Sequence, residues 1–147
     1  MNLTEHFTLD ELTISQEAAR FELDNSPGEP QIDALRTLCV KVLEPLRAHV
    51  KWPIIVSSGY RAKNVNARIG GAPSSQHCKG EAVDFIIPGM STANVVALIR
   101  ALDLPFDQVI DEFSRWVHVS HSEDGQQRGE VLLALHRDGA VRYRKVV

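Results

Sequence analysis

Two short stretches of this chain carry residues that together could hold a metal ion. The first is Ser74-Ser75-Gln76-His77-Cys78-Lys79-Gly80-Glu81-Ala82-Val83-Asp84-Phe85, and the second is Arg115-Trp116-Val117-His118-Val119-Ser120. Asp84 lies in a run of strand-forming apolar residues, where an unpaired carboxylate is costly to bury, and His118 is similarly flanked by Val117 and Val119. A divalent cation removes that cost. His77, Asp84 and His118 supply two imidazoles and one carboxylate, a set that suits one zinc ion. It leaves a fourth tetrahedral position for water, as in a hydrolytic site. Cys78, next to His77, is not expected to join them, because neighbouring residues in extended backbone point opposite ways.

A metal-assisted hydrolase also needs a general base that takes a proton from water and returns it to the leaving amine. Glu112, six residues before His118, fits that role if a tight connection through Phe113-Ser114-Arg115 brings it to the open side of the metal. Asp111 is the fallback, although strand alternation points it to the opposite face. Arg61, after Ser57-Ser58-Gly59-Tyr60, offers a fixed fork of donors for a substrate carbonyl or a developing oxyanion. Ser75 and Gln76 are candidates for orienting substrate or supporting His77. His121 is a candidate for substrate contact or proton shuttling, against the plainer reading of an ordinary loop histidine. Trp116 reads as core packing. Gly70-Gly71-Ala72-Pro73-Ser74 lacks the lysine and the strand-loop-helix order of a phosphate-binding loop, so no nucleotide is expected.

These side chains have to be positioned by the elements around them. Thr8 and Glu11 form a capping box, with Phe7 stapled to Leu12, so a short helix is expected there. Asp24 to Pro30 is rich in turn residues. Beyond it Ile32, Leu35, Leu38, Cys39, Val42, Leu43, Leu46 and Val50 repeat at helical spacing, with a kink or early stop expected near Leu43 because Pro45 follows. Ile54 to Ser58 reads as a strand that Gly59-Tyr60-Arg61 leaves for a short helix ended by Gly70-Gly71. Glu81 to Ile87 is the strand carrying Asp84, and Gly80 gives the chain freedom to bring His77 to the same point. Ser91 caps a helix with Val95, Val96, Leu98, Ile99 and Leu102 on its buried side. Asp107 to Asp111 and Trp116 to Ser120 read as strands. A polar loop follows from His121 to Arg128, then a hairpin turning at Asp138-Gly139. Helices come mostly first and strands last, which predicts an α+β fold with a helical layer on a mainly antiparallel sheet.

The 147 residues fit one domain spanning 1–147, and the formal charge of −3 argues against nucleic acid as the main partner. Arg137, Arg142, Arg144 and Lys145 make a locally basic stretch, read as a solvated hairpin face. No apolar run is long enough to span a membrane, and the amino terminus lacks a signal-peptide pattern, so synthesis in the cytoplasm without membrane insertion is expected. Two cysteines, Cys39 and Cys78, do not make a disulfide framework.

At these residues the chain resembles peptidase M15, the zinc D-Ala-D-Ala carboxypeptidase and endopeptidase family, in particular its phage-associated branch. The likeness runs from His6 to Leu12 through Asp24 to Pro27, Val42 to Arg47 and Ser57 to Arg61. Its most specific parts are Ser-x-His-x-x-Gly-x-Ala-x-Asp at Ser75 to Asp84 and Trp-Val-His-Val-Ser at Trp116 to Ser120. The resemblance implies a Hedgehog/DD-peptidase-like fold, His77, Asp84 and His118 as zinc ligands, and Arg61 as the arginine on the substrate carbonyl. Several family members place their acidic base three residues before the last histidine, where this chain has Arg115. The related Hedgehog amino-terminal signalling domain has a glutamate six residues before it, matching Glu112. The implied function is hydrolysis of amide bonds in peptidoglycan stem peptides by a monomer acting at the bacterial cell wall. Such a protein would be a phage or prophage lysin released through a holin pore, a virion component, or equally a host peptidase. The alternatives are a zinc-stabilised wall-binding or virion module without turnover, and a peptidase for ordinary L-peptides.

Overall fold

The computed structural model describes residues 1–146. Helices α1 (Leu9–Thr13) and α2 (Gln16–Arg20) open the chain. The capping box forms at the start of α1: Glu11 N donates to Thr8 Oγ1 and Thr8 N donates to Glu11 Oε1. Phe7 and Leu12 are both buried in the core, as a hydrophobic staple requires.

Helix α3 (Glu29–Leu38) passes through a π-helical turn at Cys39–Leu43 into α4 (Glu44–Val50) without stopping. The wider turn, in which Glu44 N donates to the Cys39 carbonyl, admits Pro45 near the start of α4, where its missing N–H and ring are tolerated. The expected break is therefore a bulge inside a continuous helical path, and Leu43 and Leu46 both stay fully buried across it.

Strands β1 (Ile55–Ser58), β2 (Ala82–Ile86), β3 (Gln108–Glu112), β4 (Trp116–Ser120), β5 (Glu130–Arg137) and β6 (Ala140–Lys145) form one sheet in the order β1-β2-β4-β3-β5-β6. Between β1 and β2 lie α5 (Lys63–Arg68) and a 3₁₀ turn at Gln76–Lys79, and α6 (Thr92–Ala101) follows β2. Ser91 caps α6 as expected, and Val95 and Ile99 are buried in the core. All pairings are antiparallel except β3 with β5, which is parallel. That parallel pair was not foreseen. It forms because the 121–129 loop doubles back along β3: Asp107 accepts from Arg128 N at its carboxylate and from Glu130 N at its carbonyl.

Alternation along the strands divides the sheet into two faces. Val83 and Phe85 on β2, Val109 on β3, Val117 and Val119 on β4, and Val131 on β5 join Leu35, Leu38, Leu46 and Ile99 in one hydrophobic core. The intervening residues Asp84, Ile110 and His118 face the other side. Among the described residues no helix is long and apolar enough to cross a membrane.

Candidate metal centre

The antiparallel pairing of β2 with β4 places Asp84 directly opposite His118. Their facing atoms, Asp84 Oδ1 and His118 Nδ1, lie 2.9 Å apart. His77 reaches the same carboxylate oxygen from the 3₁₀ turn, with Nε2 at 3.4 Å. A tetrahedral ion with bonds of about 2.0–2.2 Å holds its ligands roughly 3.3–3.6 Å apart, a spacing that His77 and Asp84 meet, while His118 and Asp84 stand at hydrogen-bond distance. The three ligand atoms all lie within 4.8 Å of one another.

Local structure fixes each ligand. Ser75 Oγ accepts from His77 N at the start of the turn, and Gly80 ends the turn at φ +73°. A side chain on Gly80 would also meet the Gln31 carbonyl oxygen at 2.4 Å, so glycine is needed for two reasons. His77 Nδ1 donates to the Gly59 carbonyl at 2.8 Å, which leaves Nε2 as the ring nitrogen turned toward Asp84. Gly59 is placed by close packing of two backbones. Tyr60 N donates to the Leu12 carbonyl at 2.7 Å, and a Cβ on Gly59 would stand 2.1 Å from that oxygen.

Burial pushes the Asp84 carboxyl up, but hydrogen bonds and charge from His118 and His77 outweigh it and hold the group well below the usual carboxylate range. The carboxylate is thus kept ionised beside two imidazoles, the protonation state a cation requires. Cys78 is buried in the same turn but lies outside this set.

The ligands open into a cleft of about 490 Å³. Glu112 is in its wall. The β3–β4 connection is a tight turn in which Phe113 and Ser114 both take positive φ, at 60° and 58°, and Arg115 N donates to the Glu112 carbonyl. Phe113 is held there by stacking on His136, with ring centroids 4.3 Å apart. Burial pushes the Glu112 carboxyl up, Asp84 and Asp111 add to the rise, and His118 opposes it. Asp111 faces away from the cleft, and its Oδ1 accepts from Ser114 N.

Arg61 lines the cleft with Nη1 on Asn66 Oδ1 at 2.9 Å and Nη2 on Ser58 Oγ at 3.3 Å. Both partners are neutral, so they orient the guanidinium without cancelling its charge. Its backbone N–H donates to the His77 carbonyl, tying the arginine to the metal turn. Ser75 and Gln76 also line the cleft. The Gln76 amide nitrogen is taken by Asp107 Oδ2 and Glu81 Oε1, so it braces this end of the cleft.

His121 is not brought to the cleft. It follows the end of β4, is buried, and donates its N–H to the Glu81 carbonyl. His121 is thus not among the residues that line this cleft. The core-packing reading of Trp116 is corrected, because it is partly exposed and lines the cleft on the same face as His118. Strand parity alone would have found it. Asn66, Arg128 and Tyr143 were missed as well. Asn66 is buried with both amide ends used, Nδ2 donating to the Ala72 carbonyl, but nothing in its sequence setting distinguishes it from Asn64. Arg128 and Tyr143 reach the cleft only through the parallel β3–β5 pairing and the β6 hairpin.

A buried His-Asp-His set with a carboxylate and a guanidinium on one open cleft has the construction of a metallohydrolase centre. A family model described as Peptidase M15 matches residues 5–120, and the chain belongs to that family of metallopeptidases. Among curated proteins, none matches the chain significantly in sequence.

Proposed function

We propose that this chain is a zinc metallopeptidase that hydrolyses amide bonds in peptidoglycan stem peptides, at a bond involving a D-amino acid. The observation that carries this reading is the convergence of His77, Asp84 and His118 on one point, with Glu112 and Arg61 in the wall of the same cleft. Two imidazoles and one carboxylate favour zinc over the harder cations, which prefer all-oxygen sets. When bound, zinc supplies Lewis acidity to a carbonyl and to water in the cleft. Glu112 accepts the proton given up by the attacking water and passes it to the amine nitrogen as the amide bond breaks. Its burial suits it to both directions of transfer, because a raised pKa brings the carboxyl closer to working pH. Arg61 donates N–H groups to the carbonyl oxygen as that atom gains charge, its fork held ready by Asn66 and Ser58.

A Hedgehog/DD-peptidase-like fold and a role as a phage or prophage lysin or virion component belong to the same proposal. They rest on the family and on the motifs at Ser75 to Asp84 and Trp116 to Ser120.

The test is mass spectrometry of muropeptides after purified peptidoglycan is incubated with zinc-loaded protein and with a chelated control. Metal-dependent products are expected, and Glu112→Ala should remove them while zinc stays bound. An unchanged profile from folded, zinc-loaded protein that still binds the wall would leave the non-catalytic binding module as the reading.

A further inference from the structure

We propose that the substrate runs through the metal cleft and is held on both sides of it, so that the chain cuts within a peptide and does not trim its last residue. This inference rests on the peptidase reading above.

The cleft does not end at the ligands. On the β1 side it meets a second cavity of about 420 Å³, and Arg61 belongs to the wall of both. The junction is next to the metal position, since Ser58 of that cavity stands opposite Asp84 in the β1–β2 pairing and binds Arg61 Nη2. Ile14 and Ile69 in its wall are 64% and 44% exposed, apolar surface that a bound chain would cover. On the other side a third cavity of about 480 Å³ shares Ser74, Gln76 and Arg128 with the metal cleft. This one is polar, with Lys79, Asp124 and Gln126 in its wall. The candidate ligands therefore lie between two cavities that share wall residues with the metal cleft, one of mixed polarity toward β1 and one polar toward the 121–129 loop.

Removal of a single carboxyl-terminal residue needs a different construction. The terminal carboxylate would then lie one residue from the broken bond, about 3.3–3.6 Å of extended chain, where a cation in the metal cleft would hold it most strongly. The cationic side chains in the wall of that cleft are Arg61 and Arg128. Arg128 directs Nε and Nη2 to Asp107 at 2.9–3.2 Å, and its Nη1 faces Glu130 at 3.8 Å. Arg61 is engaged with the reacting carbonyl in the reading above. Only the exposed Nη1 edge of Arg128 is then left for a terminal carboxylate, and Glu130 already faces it, whereas both flanking cavities can take further residues of a longer chain.

The experiment compares stem pentapeptides and their cross-linked dimers, each with the carboxyl terminus free or amidated, as substrates of the zinc-loaded protein. Products are identified by mass. The expected result is two fragments of at least two residues each, with rates on free and amidated peptides within about twofold. Ile69→Glu and Gln126→Ala, at exposed positions on the two flanks, should each raise KM roughly threefold to tenfold with kcat unchanged. Release of a single amino acid, with a loss of about tenfold or more on amidation, would overturn the inference. If neither peptide is cut, the peptidase reading fails separately. Calorimetric titration of the zinc-loaded Glu112→Gln variant then decides the binding path. Equal affinity for the free and amidated peptides supports it, while no binding, or a preference of about tenfold for the free carboxylate, overturns it.

Discussion

Replacing Glu112 by glutamine keeps the shape of the side chain and removes its ability to accept a proton. Turnover of Glu112→Gln should therefore fall by about 10²–10⁴, the usual contribution of a positioned acid–base group. The three metal ligands are untouched by this change, so zinc measured by emission spectrometry after dialysis should stay at the wild-type ratio. Loss of metal together with activity would mean that Glu112 helps hold the ion. Asp84→Asn makes the complementary prediction. The carboxylate sits within 3.4 Å of both imidazoles, and an amide in its place brings no negative charge to the cation. Metal affinity, read by competition with a chromogenic chelator, should fall about 10- to 100-fold or more. These residues were legible in the sequence because a carboxylate and a histidine in apolar strands are hard to explain without a shared ion. Asn66 was not legible, because its role depends on Arg61 and Ala72 standing beside it in space.

At the scale of elements, the site depends on the packing of α1 against the exit from β1. Gly59 is the contact point, with a Cβ forbidden by the Leu12 carbonyl at 2.1 Å and its own carbonyl holding His77 Nδ1. Gly59→Ala should cost about 1–3 kcal/mol in chemical denaturation, as overpacking does. It should also weaken metal binding, because the orientation of His77 moves with that carbonyl. A variant that loses stability but binds metal as tightly as wild type would separate the two roles. The 121–129 loop depends on Asp107 and Arg128 in a similar way. Burial pushes the Asp107 carboxyl up, but hydrogen bonds and charge from Arg128 and a bond from Gln76 outweigh it and leave it below its ordinary value. A carboxyl lowered by folding contributes stability above its unfolded pKa of about 3.9, and that contribution is lost as pH falls through the folded value. The stability difference between wild type and Arg128→Ala, followed by urea denaturation, should be steady near neutral pH and shrink below about pH 4. The strands and the capping box were legible from alternation and spacing. The partner of β5 was not, because alternation reports which face a side chain takes and not which strand lies alongside.

For the whole molecule, a metal that binds only the folded state must add to its stability. The ligands come from the 3₁₀ turn and from β2 and β4, so unfolding disperses them. At zinc about 100-fold above its Kd the gain is about 2.7 kcal/mol, which for a chain of this size raises Tm by roughly 5–10 °C. Scanning calorimetry with and without a chelator should show that shift, and readdition of zinc should reverse it. An unchanged Tm would mean that the three ligands do not bind the ion at that concentration. Away from this site, burial pushes the Cys39 thiol up to about 12.

The sequence by itself determined the α+β order of elements, the candidate metal set His77, Asp84 and His118, and the candidates Glu112 and Arg61. Each of these follows from side-chain chemistry, strand alternation or family motifs, which are properties of short stretches. Only the tertiary structure decided that Asn66 stands beside Arg61 and orients it. It also decided that Arg128 and Tyr143 reach the metal cleft from the 121–129 loop and from β6, and that cavities flank the cleft on both sides. Those outcomes depend on which strands become neighbours. That choice is made by packing energies summed over the whole sheet, to which each local stretch contributes only a part.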